Sequence, residues 1–284
     1  MIPTFVIGLR EGVEASLIVG IVAAFLARND RRDALRSMWI GVGAAVVICL
    51  GVGVALNVVD AGLPEKQQAR FETIIALVAV GTVTAMIVWM KRHSRGIKAE
   101  LESHAASALA EGAGIALVAM AFFAVLREGF ETSVFLLAAF QNSETPLASG
   151  IGVIVGLAVA VALGFAIFRG AVRINLSRFF LLTGLALVLV AAGLVASAIH
   201  SSTEAGWLTV AQHRALDLRW LIAPGTVRAS LLTGMLGLQP EPTRAEVVGW
   251  LLYAVPMSLY LILPVTRART PRPSPSVAVE PGTR

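Results

Sequence analysis

The sequence predicts an all-α polytopic membrane protein with seven transmembrane helices, built as a 3+3 inverted repeat plus one, with the N-terminus outside and the C-terminus inside. Three observations carry that prediction: an apolar composition, apolar runs of spanning length, and one charged pentapeptide written twice. Of 284 residues, 57% are hydrophobic and 14% are charged. The mean hydropathy of +0.80 fits a chain whose solvent is largely lipid. Lipid cannot satisfy open backbone groups, and the runs lack the alternation of a membrane barrel, so each is read as a helix.

The first span, about 3 to 27, carries Arg10-Glu11-Gly12-Val13-Glu14. No basic segment precedes it and charges interrupt it, so it is read as an uncleaved span rather than a signal peptide. The second, about 38 to 59, contains Cys49, the only cysteine, which excludes a disulfide framework and leaves a small packing residue. The third, about 70 to 90, opens on Arg70-Phe71-Glu72, and a charged connector from Lys91 to Gly112 follows. The fourth, about 113 to 140, carries the second pentapeptide, Arg127-Glu128-Gly129-Phe130-Glu131. The fifth and sixth span about 147 to 168 and 179 to 200. An outer segment from Ser201 to Glu246 follows, with an amphipathic stretch from Thr226 to Leu238 suited to lie along the surface. The seventh span, about 247 to 266, completes a single transmembrane domain over residues 1–266, with repeats at about 3–90 and 113–200. The Pro-rich tail, 267–284, reads as disordered and cytoplasmic.

Basic residues set the orientation. The segments after spans one, three, five and seven hold 15 Lys and Arg, against 6 in the alternate segments. The richer side is cytoplasmic by the positive-inside rule. The formal charge of +5 therefore reads as topological anchoring and not as a nucleic-acid surface. Trp207, Trp220 and Trp250 mark interfaces or pack the outer loop.

Each ionised side chain at the centre of a span costs about 2.5–3.5 kcal/mol, so three in one helix demand a function. The two motifs are offset by 117 residues and continue alike, Ala15-Ser16-Leu17 against Thr132-Ser133-Val134. Three spans separate their starts, so the second copy runs the opposite way across the membrane. Counting about 1.5 Å per residue from the outer boundary puts all four glutamates roughly 12–18 Å deep, near the midplane. Within a motif the Arg and the last Glu lie about 40° apart on the helix, and the two Glu about 60° apart. Gly12, Ser16 and Gly20 recur on the other side of span one, where small residues admit a neighbouring helix.

Four glutamates, Glu11, Glu14, Glu128 and Glu131, offer only oxygen, which suits hard cations. Arg10 and Arg127 offset part of their charge and position the carboxylates, leaving a formal excess of two negative charges. A structural ion-pair lock between helices and a proton relay without metal are alternative uses of the same residues. An intramembrane carboxylate enzyme is a third. A di-iron site, however, would use Glu-x-x-His, and none of His93, His104, His200 and His213 lies within three residues of a motif glutamate. Toward the outside, Glu72, and His200 with Glu204 four residues on, form a candidate metal antechamber; an interfacial anchor and a solvated helix end are the alternatives.

Seven spans with Arg-Glu-Gly-x-Glu in the first and fourth resemble the oxidase-dependent iron permease family of fungi and the related bacterial ferrous-iron uptake permeases. The resemblance covers most of residues 1–266, including Phe71-Glu72 and the stretch from His200 to Trp207. It implies an iron permease of the cytoplasmic membrane, not an enzyme, with iron as the transported substrate and no permanently bound cofactor. It also implies that Arg10, Glu11, Glu14, Arg127, Glu128 and Glu131 bind iron. An extracytoplasmic oxidase or peroxidase is the implied partner, with an iron-delivery protein as a further expected one. The oxygen-only site favours ferric iron among the cargoes, while another hard cation such as manganese remains an alternative substrate.

Overall fold

A computed structural model describes residues 1–93, 114–141, 146–168, 176–208, 215, 232–233 and 241–263. Among them are seven α-helices: α1 (Ile2–Arg28), α2 (Arg32–Gly62), α3 (Glu65–His93), α4 (Gly114–Gln141), α5 (Pro146–Phe168), α6 (Leu176–Glu204) and α7 (Arg244–Ile262). Five of them, α2, α3, α5, α6 and α7, are long and apolar enough to cross a membrane. The other two, α1 and α4, are 27 and 28 residues long and are the helices that carry the charged motifs.

The helices extend beyond the apolar runs because backbone hydrogen bonding continues past the point where the side chains turn polar. The seventh is the exception at its far end. It stops at Ile262, and Leu263 is extended with φ −65° and ψ 130°. The cause is Pro264, whose ring disfavours the helical region for the residue before it. At its start Thr243 and Glu246 form a reciprocal capping box, the hydroxyl accepting from Glu246 N and the carboxylate from Thr243 N. The connector from 94 to 112, the stretch from Thr226 to Leu238 apart from residues 232–233, Trp220 and the tail 267–284 lie outside the described residues.

Two apolar clusters establish how the helices run. One joins Ile7 of α1 to Val134, Phe135 and Ala138 at the far end of α4, with α3 and α6 completing it. The other joins Val19, Val22 and Leu26 of α1 to Leu117, Ala121 and Val125 at the start of α4, with Ala34, Met38 and Ala45 of α2. The two motif helices are therefore antiparallel, and their charged centres lie between the clusters. Glu72 of α3 meets Ser201 of α6, and Arg70 stacks on Trp207 with 5.9 Å to the ring centroid, so α3 and α6 are antiparallel too.

Small residues bring one helix of each half against one of the other. On α1, Gly8, Gly12 and Ser16 face Val153, Ala160 and Gly164 of α5, and a Cβ placed on Gly12 would lie 2.7 Å from Ala160 Cβ. On α4, Gly129 and Ser133 face Cys49 and Gly53 of α2, and a Cβ placed on Gly129 would lie 2.5 Å from Cys49 Sγ. Cys49 is buried in that seam, its thiol 3.4 Å from Leu126 O. The stripe on α1 differs from the expectation at one point: it runs Gly8, Gly12, Ser16, and nothing approaches Gly20 within 4 Å. In the register that sets Gly12 against Ala160 and Ser16 against Gly164, Gly20 falls opposite Phe168, where α5 ends.

Candidate metal centre

The motif glutamates arise from one local rule applied twice. Residues four apart on a helix are neighbours, so each motif arginine reaches its own last glutamate. Arg10 Nε donates to Glu14 Oε1 at 3.2 Å, and Arg127 Nε to Glu131 Oε1 at 3.0 Å. The middle glutamate of each motif, one residue after the arginine, projects about 100° further around the helix, toward the other motif.

Antiparallel packing then brings carboxylates from both helices together. One oxygen each from Glu11, Glu128 and Glu131 lie within 4.8 Å of one another. Glu11 is 1% exposed, Glu128 6% and Glu131 9%. Both oxygens of Glu11 and the Oε2 atoms of Glu128 and Glu131 are buried without a hydrogen-bond partner. Buried acceptors left empty are costly, more so when charged, and three facing inward together form a cradle that a hard cation would satisfy. Glu14 is not part of this trio.

The surroundings of the two arginines differ. Arg10 is 1% exposed, its Nη2 lies 2.8 Å from Met90 Sδ of α3, and its Nη1 has no partner. The Arg127 side chain is 58% exposed, on a face of α4 that also carries the exposed Phe123 and Phe130. Each arginine neutralises one glutamate of its own motif, so the uncompensated pair is Glu11 and Glu128. Both belong to the trio.

The other three candidates, Glu72, His200 and Glu204, gather in a second cluster at the end of the bundle that holds the start of α3 and the end of α6. His200 Nε2 lies 3.6 Å from Glu204 Oε1, and Ser201 Oγ donates to Glu72 Oε2 at 3.3 Å. Sequence reading missed Glu246. This carboxylate is buried on α7, and its Oε1 sits 3.1 Å from His200 Nδ1. A carboxylate behind one ring nitrogen fixes the imidazole and leaves the other nitrogen to face Glu204, the arrangement that supports histidine as a ligand. The signal was the capping pattern Thr243-x-x-Glu246, which marks a helix start and hides the second use of the same side chain. Sequence reading also missed Asp60, buried at the end of α2, whose Oδ1 accepts from Gln141 Nε2 at 3.1 Å. The two line a cavity of about 610 Å³ with Asn57 and the apolar side chains of α4 and α5.

A family model described as the iron permease FTR1 family matches residues 1–271. The chain belongs to that family. Among its relatives, the "Ferrous iron permease EfeU" of Escherichia coli O6:K15:H31 is 42% identical over 266 residues, covering 93% of this chain and 96% of the relative. The protein of the same name from Yersinia pestis is 42% identical, covering 93% of this chain and 94% of the relative. The Shigella sonnei protein is likewise 42% identical over 266 residues, again with 93% and 96% covered. No solved structure matches significantly. The relatives are named permeases, which places this multi-pass membrane protein among transporters and not among enzymes, and sets aside the intramembrane carboxylate enzyme.

Proposed function

We propose that this protein imports iron across the cytoplasmic membrane through a midplane site formed by Glu11, Glu14, Glu128 and Glu131, with Arg10 and Arg127 positioning the carboxylates. The observation that carries the reading is the trio of carboxylates, Glu11, Glu128 and Glu131, buried within 4.8 Å with four oxygens lacking any partner. A structural ion-pair lock would leave no such surplus. All seven helices span the bilayer in this reading, with the N-terminus outside and the C-terminus inside. The motif glutamates of α1 and α4 are tolerated because they lie between the helices instead of facing lipid.

The balance of charge refines the cargo. Oxygen donors alone favour ferric iron, yet the uncompensated charge of the site is two, on Glu11 and Glu128. A divalent ion neutralises that charge without residue, so we read the cargo as ferrous iron, in line with the names of the relatives. Glu72, His200 and Glu204, with Glu246 behind the imidazole, form the outer antechamber. An extracytoplasmic oxidase or peroxidase and an iron-delivery protein are the proposed partners on that side.

The test is uptake of radioactive iron into liposomes containing the purified protein, with ferrous and ferric ions supplied separately and manganese as competitor. Uptake of ferrous iron that stops in Glu11→Gln and Glu128→Gln is expected. Unchanged uptake by both variants at equal protein density would sink the proposal.

A further inference from the structure

The 117-residue offset that relates the two motifs pairs Glu11 with Glu128 and Glu14 with Glu131. Applied to the observed trio of Glu11, Glu128 and Glu131, the same relation generates a second trio of Glu128, Glu11 and Glu14. The two sets share a pair of carboxylates and differ only in the third. Only one of them is assembled.

We propose that Glu14 and Glu131 are exchangeable third ligands for a hard cation held by Glu11 and Glu128, so that passage through the protein replaces one by the other. The proposal rests on the iron-transport reading of this site and adds the order in which its ligands act.

Position along the axis supports the exchange. Glu14 lies about one turn beyond Glu11 in the chain direction of α1, and Glu131 about one turn beyond Glu128 in that of α4. Because the helices are antiparallel, these steps lead to opposite sides of the shared pair. An ion that trades Glu131 for Glu14 therefore moves along the membrane normal while Glu11 and Glu128 keep hold of it. Glu14 is close enough for Glu128 and Glu131 to act on it electrostatically, yet it stays outside the trio. Four carboxylates gathered at once would repel one another, so one stands aside.

The arginines show which one stands aside and what keeps it there. Glu14 Oε1 is held by Arg10 Nε, and Arg10 is held by Met90, whose thioether is a weak acceptor. Arg10 Nη1 has no partner, so the fully buried guanidinium is bound by less than it offers. Glu131 is also held by its arginine, through Oε1, but its Oε2 remains free toward Glu11 and Glu128. Arg127 is exposed where Arg10 is enclosed. Exchange of the third ligand exchanges these two environments, which is what interconversion of inverted repeats requires.

Carboxyl labelling of the full-length protein in nanodiscs tests this, using a carbodiimide with an amine, Mn²⁺ as the probe ion and mass spectrometry as the readout. In the wild type Mn²⁺ protects Glu11, Glu128 and Glu131 and leaves Glu14 reactive. Met90→Ala releases Arg10, and protection then shifts from Glu131 to Glu14. Equilibrium binding of Mn²⁺ weakens by at least about 100-fold in Glu131→Gln and by less than about 10-fold in Glu14→Gln, since loss of a direct ligand exceeds the 10–100-fold typical of outer-shell changes. Both variants abolish uptake. Equal protection of all four glutamates, or equal loss of binding in the two variants, overturns the exchange while leaving the transport reading intact. If a variant does not reach the membrane folded, the wild-type and Met90→Ala protection patterns decide the matter. A wild type that binds no ion overturns both readings.

Discussion

The two charged motifs are nearly identical in sequence and are not equivalent in the fold. On α1 the arginine is 1% exposed and lies against Met90; on α4 its counterpart is 58% exposed. Local geometry is the same in both, an i to i+4 ion pair near 3 Å. What differs is the neighbourhood, because α1 is covered on every side of its first half while α4 keeps one face uncovered. The same pentapeptide thus supplies a locked half and a free half.

The largest expected contrast lies between the two arginines. Arg10→Ala leaves Glu14, 14% exposed, without its partner beside the enclosed space of Arg10, and is expected to cost about 3 kcal/mol, the lower end for breaking a buried pair. Arg127→Ala removes a half-exposed arginine from the buried Glu131 and is expected to cost less, about 1–3 kcal/mol. Heating the detergent-solubilised variants and following the folded fraction by size-exclusion chromatography would compare them, and equal losses would break the distinction.

Next in size are the shared carboxylates. Glu11→Gln and Glu128→Gln are each expected to weaken binding of divalent ions by more than about 100-fold, beyond what outer-shell changes cause. Isothermal titration with Mn²⁺ measures this, and a large effect from only one of the two would show that the pair is not shared equally.

The two interhelical seams differ in how much they can yield. A Cβ on Gly156 of α5 would meet backbone, at 2.5 Å from Phe5 O and 2.9 Å from Leu9 N, whereas one on Gly129 meets the side chain of Cys49. Gly156→Ala is therefore expected to cost about 3 kcal/mol, at the top of the overpacking range, and Gly129→Ala about 1 kcal/mol. Adding Cys49→Ala to Gly129→Ala should recover part of the loss, while no single side-chain trim rescues Gly156→Ala. Thermal unfolding of the single and double variants checks both statements.

The smallest effect belongs to the second cluster, at the end of the bundle that holds the start of α3 and the end of α6. Glu246→Gln loosens the hold on His200 and is expected to reduce iron uptake by about 10-fold at low iron, the lower end for an outer-shell partner. Uptake at saturating iron should be unchanged, so the half-saturation concentration is the quantity to measure. A fall in the maximal rate alone would move Glu246 from the antechamber to the transport step.

Much of this architecture was legible in the residues. Apolar runs located the seven helices, and the length between the motifs required the second to run opposite to the first. The ends were less legible: α2 and α3 continue well past their apolar runs, while α7 stops short because Pro264 acts on Leu263. From the sequence, four glutamates are expected at one depth. That only three converge was not legible, since Glu14 and Glu131 stand in the same local pattern and differ only in what other helices place beside them. Met90, Glu246 and Asp60 were invisible for a related reason. Each meets its partner across 46 to 81 residues of chain, Met90 with Arg10, Glu246 with His200 and Asp60 with Gln141.

By itself the sequence determined the helices, the duplicated ion pairs and the oxygen-only donor set, because these follow from composition and from contacts within one or two helical turns. Tertiary structure alone decided which carboxylates come within 4.8 Å of one another, which arginine is enclosed and which glutamate is left out. Those outcomes depend on how α1 seats its small residues against α5 and α4 against α2, and shifting one helix along its neighbour by a single turn would choose a different trio from the same four side chains.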